Sequence, residues 1–164
     1  MTEENKTAAT PAQNPDNGPV MSLQKIYAKD VSFETPNAPD IFNEPGQPEI
    51  KMNLTQKVKK IDDETYEIVL AITVTCMLQE KTAYLAEVHQ TGIFSLKNFD
   101  EAVLHQTLGS YCPGVLFPYA RQTVSDLVMN GGFQPLLLQP VNFDQLYAQQ
   151  MQQAQQQAET ATKQ

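Results

Sequence analysis

Between residues 50 and 58, apolar Ile50, Met52, Leu54 and Val58 alternate with polar Lys51, Asn53, Thr55 and Lys57. A period of two predicts a strand with one buried and one wet face. Asp62-Asp63 predicts a turn, because aspartate bonds its own neighbouring backbone. The alternation resumes through Tyr66, Ile68, Leu70, Ile72, Val74, Cys76 and Leu78. Its other face, Val69, Ala71, Thr73 and Thr75, is mixed, which predicts a central strand. Glu80-Lys81-Thr82 predicts another turn, and residues 83–94 a further strand. Residues 23–34 also alternate, less cleanly. Short turns between such segments predict an antiparallel meander.

A long linker follows the first strand. Thr35-Pro36-Asn37-Ala38-Pro39 stops it, and Pro45, Gly46 and Pro48 delay the next. Within the linker, Ile41 and Phe42 need cover. The second half changes period. Asn98 and Glu101 read as a capping box opening a helix with apolar Phe99, Val103, Leu104 and Leu108, ended near Gly109. Pro118 suits the first turn of a second helix, and Asn130-Gly131-Gly132 suits its end. Asn142 and Gln145 read as a cap for a third. Strands first and helices after predict an α+β fold.

Composition narrows the class. The 164 residues suit one domain. Residues 1–19 are polar and carry too little apolar surface to offset ordering entropy, so they read as a disordered tail. Residues 152–164, rich in Gln, read as a second tail, leaving a folded domain at 20–151. With 11 basic and 19 acidic residues the net charge is −8. That balance argues against nucleic acid and against docking on anionic lipid. The N-terminus lacks the basic and apolar regions of a signal peptide, and no apolar run is long enough to span a bilayer. Cys76 and Cys112, far apart, fit a reducing compartment. The expectation is a cytoplasmic protein.

Catalytic chemistry is hard to find. There is no phosphate-binding loop and no nucleophile elbow. His89 and His105 are the only histidines, too few for a metal centre at useful spacing. His89 reads as an exposed strand residue beside Glu87. Cys112 near His105 could form a nucleophile–base pair, but a small buried core residue is the simpler reading. Asp62, Asp63 and Glu64 read as a solvated hairpin turn rather than a cation site. Phe33, Ile41, Phe42, Phe117, Tyr119, Phe133, Leu136 and Leu138 are apolar residues of segments read as irregular, able to fold over the core or to line a groove. Asp30 and Glu34, four apart on a strand, point the same way about 13 Å apart.

The stretch G-S-Y-C-P-G-V-L-F-P-Y-A-R at 109–121 closely resembles the signature of SecB, the bacterial protein-export chaperone family. Y-A-K-D-V-S-F-E-T-P-N-A-P at 27–39, Q-T-G-I-F at 90–94 and L-Q-P-V-N-F-D at 138–144 resemble the family's first strand, the end of its fourth, and the start of its last helix. The resemblance runs from about residue 21 to residue 146, in the family's order.

This resemblance implies a four-stranded antiparallel sheet, a meander plus a crossover, with helices on one side. It implies a homotetramer, a dimer of dimers with sheets paired edge to edge and helices sandwiched between dimers. The implied work is ATP-independent holding of unfolded precursor proteins in the cytoplasm, and their delivery to SecA for Sec-dependent export. No cofactor, metal or catalytic residue is implied. Positions matching Asp30, Glu34, Leu85 and Glu87 would receive SecA, including its basic zinc-bearing tail. Ala86, Val88 and Gln90, on the alternate face, would bear on tetramer assembly. The client groove would involve Phe33, Ile41, Phe42, Phe117, Tyr119 and Phe143. Gly46 departs from relatives that place a Trp near this point. A related reading is a SecB-like chaperone dedicated to another partner, such as a toxin–antitoxin system; a third is a small-molecule enzyme using Cys112 and His105.

Overall fold

A computed structural model of the chain describes residues 17–161. The tail expected at 1–19 therefore lies mostly outside the described residues. Four strands form one antiparallel sheet: β1 (Val20–Glu34), β2 (Pro48–Lys60), β3 (Thr65–Leu78) and β4 (Lys81–Lys97). Their spatial order is β1-β4-β3-β2. Hairpins join β2 to β3 and β3 to β4, so β3 is central, as its two-faced pattern requires. The linker between β1 and β2 crosses the sheet and carries a 3-10 turn at Asp40–Asn43 that buries Ile41.

One face is apolar and covered. Ile68, Leu70, Ile72 and Val74 of β3, with Ala86, Val88 and Phe94 of β4, are buried beneath Leu116, Ala120, Val124 and Val128 of the long helix. Period two on the strands meets period 3.6 on the helix, and this shared seam is the core.

The helical half is more continuous than its punctuation predicts. Helix α1 (Glu101–Gln106) runs through a π-helical turn (Thr107–Tyr111) into α2 (Cys112–Asn130) without a break. Gly109 does not end a helix. It lets another helix approach, since a Cβ there would lie 2.5 Å from the Tyr147 ring. Pro118 lies inside α2, and Pro113 occupies the first turn instead. Pro113 has no N–H to return to the Gly109 carbonyl, and Gln56 of β2 donates to that oxygen at 3.3 Å. Asn98 is not the cap of α1 either. It adopts φ 60° and donates to the Gly18 carbonyl at 3.3 Å, while Asp100 takes the N-cap position.

Helix α3 (Phe143–Ala161) opens as its sequence predicts, with Gln145 N–H donating to Asn142 Oδ1 at 3.0 Å. It then continues past residue 151, where a disordered tail was expected. Its Gln and Ala residues are good helix formers, and no Gly or Pro interrupts them. Strand β2 also differs from expectation. Its apolar row is not buried, for Ile50, Met52 and Val58 are 38%, 44% and 44% exposed. The strand lies at a sheet edge, beyond the cover of α2.

Candidate functional site

The two faces of the sheet offer two different surfaces. On the helix side, the crossover linker and the chain after α2 enclose an apolar cavity of about 420 Å³. Ile41, Phe42, Ile50, Tyr84, Phe133 and Leu136 line it, and Gly46 and Gly132 also border it. Its aromatic wall is continuous: Phe33 stacks on Tyr84 at 5.8 Å, Tyr84 meets Phe133 at 4.9 Å, and Phe133 meets Phe42 at 5.1 Å. Phe42 remains half exposed at the mouth. The linker is pinned in place. Asn37 donates to the Thr82 carbonyl at 2.9 Å, Gln79 donates to the Pro45 carbonyl at 3.0 Å, and Lys81 pairs with Glu44.

Of the six residues expected in a client groove, two line this cavity, Ile41 and Phe42, and Phe33 packs against the lining residue Tyr84. Phe117 and Phe143 are buried and pack edge to face at 5.8 Å against each other, away from this cavity. Tyr119 is exposed on α2. Sequence reading gave no groove role to Tyr84 or Cys76, because both read as ordinary strand positions. Phe133 and Leu136 were visible as apolar residues in an irregular segment, but their destination depended on where α2 ends.

The opposite face carries charge. Pairing across β1 and β4 sets Glu34 against Leu85, Ser32 against Glu87, and Asp30 against His89. Asp30, Glu34, Leu85 and Glu87 thus share one surface. His89 Nε2 lies 2.7 Å from Glu87 Oε1, and ligand-type atoms of Asp30, Glu87 and His89 all lie within 4.8 Å of one another. His89 is part-exposed, close to the strand-surface role read from its position.

Register irregularities at 23/25 and 28/30 explain why β1 alternates poorly. The second makes Lys29 an extra residue, so Lys25 and Tyr27 before it share the face of Asp30 and Glu34 after it. Tyr27 Oη donates to Glu67 Oε1 at 2.7 Å, and Lys29 Nζ reaches the same oxygen at 2.6 Å. Lys29 and then Tyr27 hold the Glu67 carboxyl below its usual pKa. The Glu67 bond, burial and charge push the Tyr27 hydroxyl up to about 12.

Ala86, Val88 and Gln90 face the helices and are almost wholly buried. Their burial comes from the helix–sheet packing of their own chain. Cys112 is fully buried, and burial pushes its thiol up to about 12. It is protonated at neutral pH, and no hydrogen bond joins it to His105 among the described residues. The nucleophile–base reading loses its geometry.

The cavity is lined mainly by apolar and aromatic side chains and is open at its mouth, a surface suited to holding apolar side chains. The family model described as preprotein translocase subunit SecB matches residues 14–154, slightly beyond the domain limits expected from composition. The chain is 51% identical over 146 residues to protein-export protein SecB of Xanthomonas oryzae pv. oryzae, covering 89% of this chain and 85% of that one. It is 54% identical over 141 residues to the protein of that name from Methylococcus capsulatus, covering 86% and 91%. Against the Stenotrophomonas maltophilia protein it is 48% identical over 159 residues, covering 97% and 92%. Among solved structures, a Mycobacterium tuberculosis SecB-like chaperone in complex with a peptide from the HigA1 antitoxin superposes with TM-score 0.58 at 14% identity, over 74% of this chain and 90% of that one. The chain belongs to the SecB family, and its role is that of a holdase chaperone of the Sec export pathway.

Proposed function

We propose that the protein captures unfolded precursors in the aromatic cavity and presents the opposite sheet face to SecA, without ATP and in the cytoplasm. The observation that carries this reading is the division of one sheet into an apolar, groove-bearing side and a charged, open side. Holding and handing on then use different surfaces, so a client need not leave before the motor arrives. Asp30, Glu34 and Glu87 supply negative charge for a basic segment such as the zinc-bearing tail of SecA, and Leu85 supplies an apolar contact among them. Electrostatic matching of this kind sets on-rate and selectivity more than raw affinity. Among the described residues, no helix is long and apolar enough to cross a membrane.

The working unit is a homotetramer. Strand β1 is a sheet edge, and Val20, Leu23 and Val31 are exposed along it. An unpaired edge is a liability unless it is covered, and a second β1 would cover it. Tyr111, Tyr119 and Met129 are exposed on the helices, as a helix-sandwiched dimer of dimers requires. Several cavities on one assembly would raise avidity for a single long client.

The test is native mass with and without an unfolded preprotein and SecA. A tetramer that takes up both partners at once supports the proposal. Glu87→Lys should then weaken SecA binding about tenfold while leaving mass and client binding unchanged. Unaltered SecA affinity by titration calorimetry would remove the acidic face from the mechanism.

A further inference from the structure

The charged face is not uniformly acidic, and this bears on what docks there. Lys25, Ile93, Glu67 and Lys59 form one row across the sheet, and Tyr27, Thr91, Val69 and Lys57 the next. All these side chains share the face of Asp30 and Glu87. Lys29, in the bulge, reaches Glu67 from the same side. Lys25, Lys57 and Lys59 are exposed and form no salt bridge among the described residues. Glu67, the one carboxylate between these rows, is buried and already satisfied by Lys29 and Tyr27. The rows that follow carry Asp30 and Glu34 on β1 and Glu87 on β4 instead. From the Lys57 row to Glu87 is four residues along β4, about 13 Å. Lys51 on the Glu34 row is paired with Glu49, and beyond the lysine rows Asp63 and Glu64 of the turn are paired with Lys60 and Lys97. Between these pairs the face is polarised along the strand direction, net positive at the lysine rows and net negative at Asp30, Glu87 and Glu34.

We infer that this lysine band is a second docking subsite, and that its occupant is an acidic peptide segment of the same partner whose basic segment meets Asp30 and Glu87. The inference rests on the docking reading above and extends it. A purely basic ligand laid along the strands would meet repulsion at the lysines. A ligand with its charge blocks in the opposite order to those of the face satisfies both ends, and like charges in the wrong register penalise the reversed orientation. Polarity therefore fixes direction as well as location.

The experiment uses the full chain and two synthetic peptides. One has a Lys/Arg block flanked by Ser; the other has the same block joined to a Glu block, the block centres about 13 Å apart when extended. The expected result is tighter binding of the two-block peptide at low salt, by about fivefold. Lys57→Glu with Lys59→Glu should abolish that advantage while leaving the basic peptide bound at least as well. The advantage should also shrink as salt rises. Equal affinity of the two peptides, or an advantage that survives the double substitution, overturns the inference. If Glu87→Lys still weakens the basic peptide in that case, the docking reading stands without it. If Glu87→Lys leaves the basic peptide unaffected, the docking reading is what fails. If the two-block advantage appears only after residues 1–16 are removed, the chain's own N-terminal segment, which carries Glu3 and Glu4, outcompetes an acidic ligand for the band, and the inference is overturned for the full chain.

Discussion

Consecutive residues of β4 have opposite surroundings. Ala86 and Val88 are sealed under α2 at 1% and 0% exposure, while Leu85, Glu87 and His89, which alternate with them, remain accessible. The helix-facing set is constrained by volume, because packed interiors resist a change of even one methylene. The open set is constrained by charge, and an exposed side chain tolerates exchange with little effect on stability. A single strand thus carries two independent specifications, and each can be changed without rewriting the other.

The largest expected effect is on the buried side. Ala86→Phe inserts a ring where no space exists, and overpacking of this kind costs about 3 kcal/mol. The strain falls on α2, so chemical denaturation should show a lowered midpoint and light scattering a shift from tetramer to dimer. If the variant keeps its full stability but still loses the tetramer, Ala86 acts on assembly by some route other than core packing. If both are unchanged, the separation of the two faces is weaker than their burial suggests.

The fold was largely legible in the chain because alternation is a local signal. Tyr66 to Leu78 reads as a central strand from its two faces, and the structure places it there. What escaped was non-local. The exposure of Ile50, Met52 and Val58 depends on where α2 lies, which no period within β2 reveals. Asn98 and Gly109 carry the right residue types for a cap and a break, yet tertiary contacts with Gly18 and Tyr147 redirected them. Likewise, parity put Asp30 with Glu34 and Leu85 with Glu87, and only the family resemblance joined the two pairs. Lys25 joins the face of Lys57 and Lys59 through the bulge at Lys29, which parity alone conceals.

A smaller effect comes from Glu67→Gln on the open face. Its carboxylate pKa lies below the ordinary value, owing first to Lys29 and then to Tyr27. A depressed carboxylate stabilises the fold above its unfolded-state pKa, and that contribution disappears as pH falls through the folded-state value. The variant should therefore be about 1 kcal/mol less stable near neutral pH. The difference should close as pH drops below 4.5, the ordinary value. Ultraviolet titration gives an independent check: Tyr27, whose hydroxyl the Glu67 bond pushes up, should ionise at lower pH in the variant than in the native protein. A constant stability gap from neutral pH into acid would mean that Glu67 contributes by shape alone.

An effect of similar size on stability, and the smallest on binding, belongs to the groove, and it tests whether the two faces communicate. Gly46 borders the cavity with φ +131°, a conformation that side chains rarely adopt. An added Cβ there would meet only the Gln79 side chain, at 3.7 Å and 3.9 Å, so space is available and backbone strain sets the cost. Gly46→Ala should lower stability by about 1 kcal/mol. It should change the affinity for an unfolded client by no more than about threefold, since many weak apolar contacts share that binding. The Gln79 bond to the Pro45 carbonyl holds the linker beside this position, so the disturbance should remain on the groove side. Peptide binding at the charged face should be unchanged. A fall in that binding would show that the linker and the open face are coupled through β4, and that holding and handing on are not separate acts.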